Sequence, residues 1–313
     1  MNTAAKISLA PFQGITGQVF RTCYAKHFVG VDTMYTPYFA GINHDFRLSE
    51  KKKIELQSII ENGIRVVPQI LSKDAGEIIR FAGILKNLGF SELNWNLGCP
   101  FPQVANKKRG SGMLPYPALV QEIFEHVFSE TDIAFSIKCR LGYFSPDEID
   151  ELVPIFNRFP LHEVIIHPRI GKQLYTGTAD PEKFAMIEKQ LQMPVVYNGD
   201  IFTKDDFDRL QKIFPSQNSW MIGRGILSDP FLPARIKGID LPLNPVIHLR
   251  RFVDDLYILY RKQSVDNLAI LGFMKEYWRY LSVSFPDPHK VSKKIKKTRS
   301  FDEYEDAVAE IFQ

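Results

Sequence analysis

The stretch Pro194-Val195-Val196-Tyr197-Asn198-Gly199-Asp200-Ile201 is followed by helix-spaced apolar residues over Lys204–Ile213. A second run, Asn218-Ser219-Trp220-Met221-Ile222-Gly223-Arg224-Gly225, comes next. The pattern reads as strand, helix, strand, with a polar residue and a glycine where each apolar run stops. Six more β-rich runs precede it: Lys6–Pro11, Val31–Thr36, Val66–Leu71, Glu92–Gly98, Ala134–Gly142 and His162–Arg169. Their starts lie 24 to 42 residues apart. Helical spacing over Ala75–Leu88, Pro117–Phe128, Asp147–Arg158, Pro181–Leu191 and Lys204–Ile213 fills most of the gaps. Strand then helix, eight times over, is the signature of a (β/α)8 TIM barrel in the α/β class. An open doubly wound sheet is the alternative, but eight units are present and no Gly-x-Gly-x-x-Gly opens the first.

The composition is that of a globular protein. Of 313 residues, 45% are hydrophobic and 24% charged, which excludes a disordered chain, a collagen-like fibre and a disulfide scaffold. Cys23, Cys99 and Cys139 are too few and too scattered for a zinc cluster, so no metal is expected and reduced thiols in a cytoplasmic protein are. No apolar run approaches the roughly 20 residues of a membrane helix, and the N-terminus reads as a first strand, not a signal peptide.

The net charge of +3 is mild but unevenly placed. Residues 1–242 carry 27 basic and 26 acidic side chains, residues 243–299 carry 12 and 5, and the stretch from Ser300 has five acids and no base. The composition changes near Gly238–Pro242, which predicts a barrel domain over 1–242 and a second domain over 243–313. Helical spacing over Pro245–Lys262, Val265–Leu281 and Phe301–Phe312 makes the second domain all-α.

Barrel strands are covered on both faces and should be nearly all apolar. Several turn polar at their C-terminal ends instead. Gln69, Asn96, Lys138 with Arg140, His167 with Arg169, Asn198 with Asp200, and Arg224 all sit there. Alternation puts 94 with 96, 138 with 140, 167 with 169 and 198 with 200 on common faces. Leaving such groups buried and unpaired costs roughly 1–3 kcal/mol each, and in barrels that end carries the active site. Asn198-Gly199-Asp200 alone is a common turn. Paired with Gly223-Arg224-Gly225 one unit later, it points to a phosphate site, because glycine admits an anion to backbone N–H groups and Arg224 adds a charged donor.

Asn96-Leu97-Gly98-Cys99-Pro100 places a thiol just beyond the fourth strand, above the barrel mouth. Most lone cysteines are small buried hydrophobes, and Cys23 and Cys139 are assigned to that class. An unperturbed thiol has a pKa of about 8.5 and is mostly protonated at pH 7, so Cys99 could deliver a proton to carbon.

These residues carry a likeness. The sequence resembles the tRNA-dihydrouridine synthases through Asn96–Pro100 followed by Val104, Gly110, Gly112 and Leu114, and through the opening Leu9-Ala10-Pro11-Phe12-Gln13-Gly14-Ile15-Thr16 with Phe20-Arg21. Gln69, Lys138–Gly142, His167-Pro168-Arg169, Asn198–Ile201 and Met221–Gly225 follow in the family's order. The resemblance implies a flavin-binding barrel followed by a helical tRNA-binding domain. It implies reduction of the 5,6 double bond of a uridine, with FMN recharged by NADPH. Cys99 would then protonate carbon 5 of uracil after flavin N5 delivers hydride to carbon 6. Pro11, Phe12 and Gln13 would line the flavin, Gln69 would bond to its ring edge, Lys138 would sit near its pyrimidine side and His167 would contact it. Asn198, Gly199, Asp200, Gly223 and Arg224 would hold its phosphate tail, and Asn96 and Arg140 would reach the target base.

The run Lys290–Arg299 is, by itself, a solvated face. Under this likeness Lys293, Lys294, Lys296, Lys297 and Arg299, together with Lys107 near Cys99, become candidates for contact with the tRNA backbone. The short chain and helical tail are most similar to the bacterial C-type subfamily, whose target is position 16 of the D-loop. A monomer is expected. Phe12 stands where the family has Met, Gly17 where it has Asp, and His167-Pro168-Arg169-Ile170 replaces His-Gly-Arg-Thr. The rival enzyme is an FMN barrel acting on a small molecule, such as a dihydroorotate dehydrogenase or an ene-reductase, which has no obvious use for a basic helical appendage. A non-enzymatic RNA-binding barrel and a flavin-free sugar-phosphate barrel are further alternatives.

Overall fold

A computed structural model describes residues 5–56, 63–263 and 266–313. Its strands are β1 (Lys6–Leu9), β2 (Thr33–Tyr35), β3 (Arg65–Val67), β4 (Gln69–Ile70), β5 (Glu92–Leu97), β6 (Ala134–Gly142), β7 (Val164–Ile170), β8 (Val195–Tyr197) and β9 (Ser219–Ile222). They form one all-parallel sheet in the order β3-β2-β1-β9-β8-β7-β6-β5-β4. The two ends of that order are consecutive in sequence. β3 and β4 are one expected strand divided at Pro68, whose nitrogen carries no proton for the ladder. The Pro68 carbonyl still accepts from Asn94 N–H at 2.9 Å. The sheet therefore closes on itself, and the eight expected strands are eight staves of a TIM barrel.

The helices are α1 (Gln18–His27), α2 (Glu50–Glu55), α3 (Ala75–Asn87), α4 (Pro102–Ala105), α5 (Pro117–Glu130), α6 (Glu148–Phe156), α7 (Pro181–Glu188), α8 (Lys204–Ile213), α9 (Arg224–Ser228), α10 (Leu232–Lys237), α11 (Pro245–Gln263), α12 (Asn267–Leu281), α13 (Pro288–Lys297) and α14 (Phe301–Ile311). Their starts are encoded locally. Asp74, Asp180, Asp287 and Ser300 each accept a backbone N–H from three residues on, and Thr203 with Asp206 forms a reciprocal capping box. Prolines begin α4, α5, α7 and α13, where a missing N–H costs nothing. The Val265 start expected for α12 lies partly outside the described residues; the helix is described from Asn267.

Every described segment after Pro242 is helical or connecting. The lysine-rich run, read from sequence as a charge patch, is helix α13, seated by just two buried residues, Val291 and Ile295, four apart. These helices share a core with the barrel. Phe20 of α1 meets Phe252 of α11 and Tyr277 of α12 edge to face, at centroid distances of 6.1 and 5.4 Å. The contact holds the C-terminal helices against the first βα unit.

The barrel interior is divided. Ala10, Tyr35, Val67, Ile165, Val196 and Met221 make a separate apolar cluster. On the opposite staves, Gln69 is in register with Asn94, Asn94 with Ser136, and Asn96 with Lys138. Half of the bore is thus filled with hydrocarbon and half with amides, a hydroxyl and an amine.

Candidate active site

The C-terminal ends of the strands open into a cleft with two lobes. One is lined by Phe12, Lys138, His167, Asn198, Gly199 and Gly223-Arg224. The other is lined by Gln13, Gln69, Asn96, Cys99, Lys138 and Arg140. Pro11, Phe12, Lys138, His167 and Tyr175 belong to both, so the lobes are continuous. Residues spread over 213 positions, from Pro11 to Arg224, meet here.

Cys99 is half-buried, whereas Cys23 and Cys139 are in the packed core, as their sequence contexts predicted. The Cys99 loop is held at several points. Asn96 Oδ1 accepts from the N–H groups of Gly98 and Cys99, at 3.0 and 2.9 Å. Ser111 donates to the Cys99 carbonyl through both its N–H and its hydroxyl, each at 3.0 Å. Gly110 lies under Cys99 with φ +56°, and a Cβ there would come within 2.6 Å of the Cys99 carbonyl. Burial pushes the Cys99 thiol up from its ordinary pKa, against smaller opposing effects from the Phe101 backbone, Arg140 and Lys138. The sulfur consequently keeps its proton at neutral pH, as a general acid must.

Lys138 projects between the lobes. Burial first and Arg140 second pull its pKa down to about 8, and no hydrogen bond or ion pair joins its amine among the described residues. Arg140 is 1% exposed and braces two loops, with Nε donating to Gly98 O at 3.1 Å and Nη1 to Ile170 O at 2.8 Å. Much of a guanidinium expected to reach substrate is therefore committed to backbone, which leaves Nη2. Gln69 and Asn96 are bound to each other, Asn96 Nδ2 donating to Gln69 Oε1 at 2.7 Å, so neither amide is fully free for a ligand.

Burial, followed by the charges of Arg140, Lys138, Arg169 and Arg224, holds the His167 pKa well below its usual value. The ring is neutral. Arg169 Nη1, which can only donate, lies 3.1 Å from Nε2, so the ring proton sits on Nδ1. Asp200 takes both guanidinium groups: Arg169 approaches it in bidentate fashion at 2.8 and 2.7 Å, and Arg224 at 2.9 Å. Burial would raise its pKa, but the Arg169 hydrogen bonds, the Ala179 N–H and the two arginine charges outweigh that and hold it low. Its carboxylate is thus spent on aiming arginines, not on a ligand. Asn198 Nδ2 is tied to Met221 O at 2.8 Å. Gly223 has no room for a side chain, since a Cβ would lie 2.6 Å from the Phe12 ring.

The sequence reading missed part of the wall. Tyr175 stacks near Arg224 and Arg140, at 4.6 and 5.4 Å from their guanidinium carbons. Tyr38, Glu276 and Tyr280 complete the thiol lobe, and Tyr280 of α12 meets Phe12 edge to face at 5.9 Å. Arg169 was visible as the alternation partner of His167; the tyrosines and Glu276 had no local signal.

The basic residues lie apart from the cleft. Lys107 is exposed, and Lys108 beside it covers the Tyr116 ring at 4.1 Å. Lys293, Lys296, Lys297 and Arg299 are exposed, and Lys296, Lys297 and Arg299 border a concavity with Lys275. Lys294 differs: it is half-buried and ion-paired with Glu310, hence not a free contact.

The family model described as dihydrouridine synthase matches residues 8–308. The chain belongs to that family. It is 30% identical over 236 residues to tRNA-dihydrouridine synthase B of Pasteurella multocida, covering 72% of this chain and 67% of that protein. It is 27% identical over 310 residues to the synthase B of Proteus vulgaris, covering 95% and 90%. Among solved structures, morphinone reductase superposes with a TM-score of 0.54 at 11% identity, over 78% of this chain and 88% of its own, a likeness of fold.

The amine of Lys138 gives a testable pH signature. The unfolded chain's lysine keeps its proton to about 10.4, whereas the folded one releases it near 8. Between those values the unfolded state binds more protons, so folding stability contributed by this site rises with pH. Urea unfolding of the ligand-free protein and of Lys138→Met from pH 7 to 10 should show the mutant's relative advantage shrinking across that window. A pH-independent difference contradicts the assignment.

Proposed function

We propose that the chain is a tRNA-dihydrouridine synthase that binds FMN, is recharged by NADPH and reduces the 5,6 double bond of a uridine in tRNA. The observation that carries this reading is the single cleft joining the half-buried Cys99 to the Gly199 and Gly223-Arg224 loops, in a chain of that family. Residues 1–242 are proposed as the flavin-binding unit and 243–313 as the tRNA-binding unit, in a monomer.

The residues present suit FMN. A phosphate needs cationic and glycine-lined surroundings, which Arg224 and the two loops supply. A flat ring needs an apolar floor, which Phe12 and Met221 supply. An electron-rich ring edge needs a fixed positive charge, which the unpaired Lys138 ammonium supplies below pH 8. His167 would offer its Nδ1–H. When bound, FMN supplies the hydride for carbon 6 of the uracil. Cys99 holds the proton for carbon 5, Arg140 and Asn96 fix the thiol loop, and Tyr38, Tyr175 and Tyr280 exclude water from the base. A uridine must leave its stack to enter this cleft, so the grip on tRNA has to be elsewhere; α13 and Arg299 are the surface for it.

The small-molecule alternative gains nothing from the fold likeness, since morphinone reductase at 11% identity shares architecture alone. Position 16 of the D-loop is the proposed target, from the helical tail, although the two relatives carry the B designation. Mapping dihydrouridine in tRNA from cells lacking the gene decides this. Loss at position 16 supports it, loss elsewhere corrects the position, and no loss removes the function.

Cys99→Ala should retain yellow colour and tRNA affinity while turnover falls on the order of a hundredfold or more, as expected when a proton donor is deleted; unchanged turnover overturns the role. Replacing Lys293, Lys296 and Lys297 with Ala should weaken tRNA binding and reduce the slope of log K against log salt by about two to three. Lys294→Ala should change that slope far less, because its charge is already paired.

A further inference from the structure

We infer that Glu92 and Ser136, deep in the barrel, are positioning residues for Cys99, acting through a one-directional chain of hydrogen bonds that ends on the Cys99 backbone. The inference rests on the reading of Cys99 as proton donor. Starting at the mouth, the N–H groups of Gly98 and Cys99 donate to Asn96 Oδ1 at 3.0 and 2.9 Å. Asn96 Nδ2 donates to Gln69 Oε1 at 2.7 Å, and Gln69 Nε2 to Asn94 Oδ1 at 2.8 Å. Asn94 Nδ2 donates to the Ser136 hydroxyl at 3.0 Å, and that hydroxyl donates to Glu92 Oε1 at 2.8 Å. Every donor points away from the mouth. Glu92 is four residues before Asn96 on β5, about 13 Å along the strand.

An amide side chain can be turned over at little cost in water, exchanging its donor and acceptor ends. Here each amide's orientation is dictated by the next link, and the final link is Glu92 Oε1, to which the Ser136 hydroxyl donates. The Ser136 hydroxyl is the hinge of the chain. It is the one member that accepts and donates through a single atom, so donating to Glu92 turns its lone pair toward the Asn94 NH2 group. Gln69, Asn94 and Ser136 are fully buried, which removes water as a substitute partner. Arg65 anchors Glu92 from the outside, with Nη1 3.0 Å from its other oxygen. Turning Asn96 over would aim its NH2 group at two N–H groups, and the loop carrying Cys99 would lose its clamp.

The test is Ser136→Ala, which deletes one oxygen, alongside Ser136→Thr, which keeps the hydroxyl. The purified, flavin-loaded protein is treated with iodoacetamide from pH 6 to 10, and the alkylation rate at Cys99 is read by mass spectrometry. Turnover, tRNA affinity and melting temperature are measured in parallel. Ser136→Ala should change the Cys99 alkylation rate at fixed pH by severalfold or shift its pH profile, lower kcat on the order of tenfold and leave tRNA affinity unchanged. Ser136→Thr should restore both alkylation and kcat. A Ser136→Ala protein that melts lower but alkylates at Cys99 with the wild-type profile overturns the inference, as does Ser136→Thr behaving like Ser136→Ala. Alkylation reports the position of the thiol whatever the reaction, so a shifted profile with unchanged kcat would fault the proton-donor reading and leave the relay standing.

Discussion

A closed barrel has to fill its own bore, and any polar atom placed there must find a partner inside. That constraint governs this molecule. On one side the bore is packed with Ala10, Tyr35, Val67, Ile165, Val196 and Met221. On the other, Gln69, Asn94, Asn96 and Ser136 satisfy one another in a line. Each unpartnered member would cost about 1–3 kcal/mol, so the set is kept complete or not at all. The apolar side is a firm wall behind the glycine loops, and the polar side is the frame on which the thiol loop is hung.

Charge at the mouth follows the same logic. Lys138, Arg140, Arg169 and Arg224 converge there, and Asp200 is the acid that meets two of them. His167 is held neutral by its burial first and by this surplus second, and adds no further positive charge. These four cations face Asp200 and, in the thiol lobe, Glu276, which Arg279 already pairs, so the half-buried cleft favours an anionic ligand and resists water as a substitute. Lys138 shows the strain in this arrangement: burial, then the charge of Arg140, pulls its pKa down to about 8, and an anion bound beside it would raise it again.

Much of this was legible in the chain. The eight strands announced themselves because apolar runs with polar, glycine-bearing ends recur at regular spacing, and the elements that alternate were placed within a few residues of their observed bounds. The Pro68 break was not read from the pattern, since Val66–Leu71 is, Gln69 apart, one apolar run on both sides of the proline. Helix α13 read as charge because eight of its ten residues contribute nothing to the core. At the site, local alternation correctly grouped His167 with Arg169 and Asn96 with Asn94. It could not show that Asp200 would be consumed by two arginines, or Lys294 by Glu310, because those partners come from other elements. The Tyr175, Glu276 and Tyr280 walls were invisible for the same reason: a lone aromatic in a loop or on a helix carries no sign of the cleft it will face.

One departure from the family's opening, Phe12, is explained by this long-range packing. A phenylalanine at position 12 reaches both Gly223 below it and Tyr280 of α12 above it. That contact ties the first strand end and the eighth strand's glycine loop to a C-terminal helix. The same helix carries Lys275, whose amine caps the Thr298 carbonyl at the end of α13. A continuous packed path therefore runs from the floor of the cleft through α12 to the basic surface. The helical tail is built onto the mouth of the barrel, and α13 is held in fixed relation to the thiol.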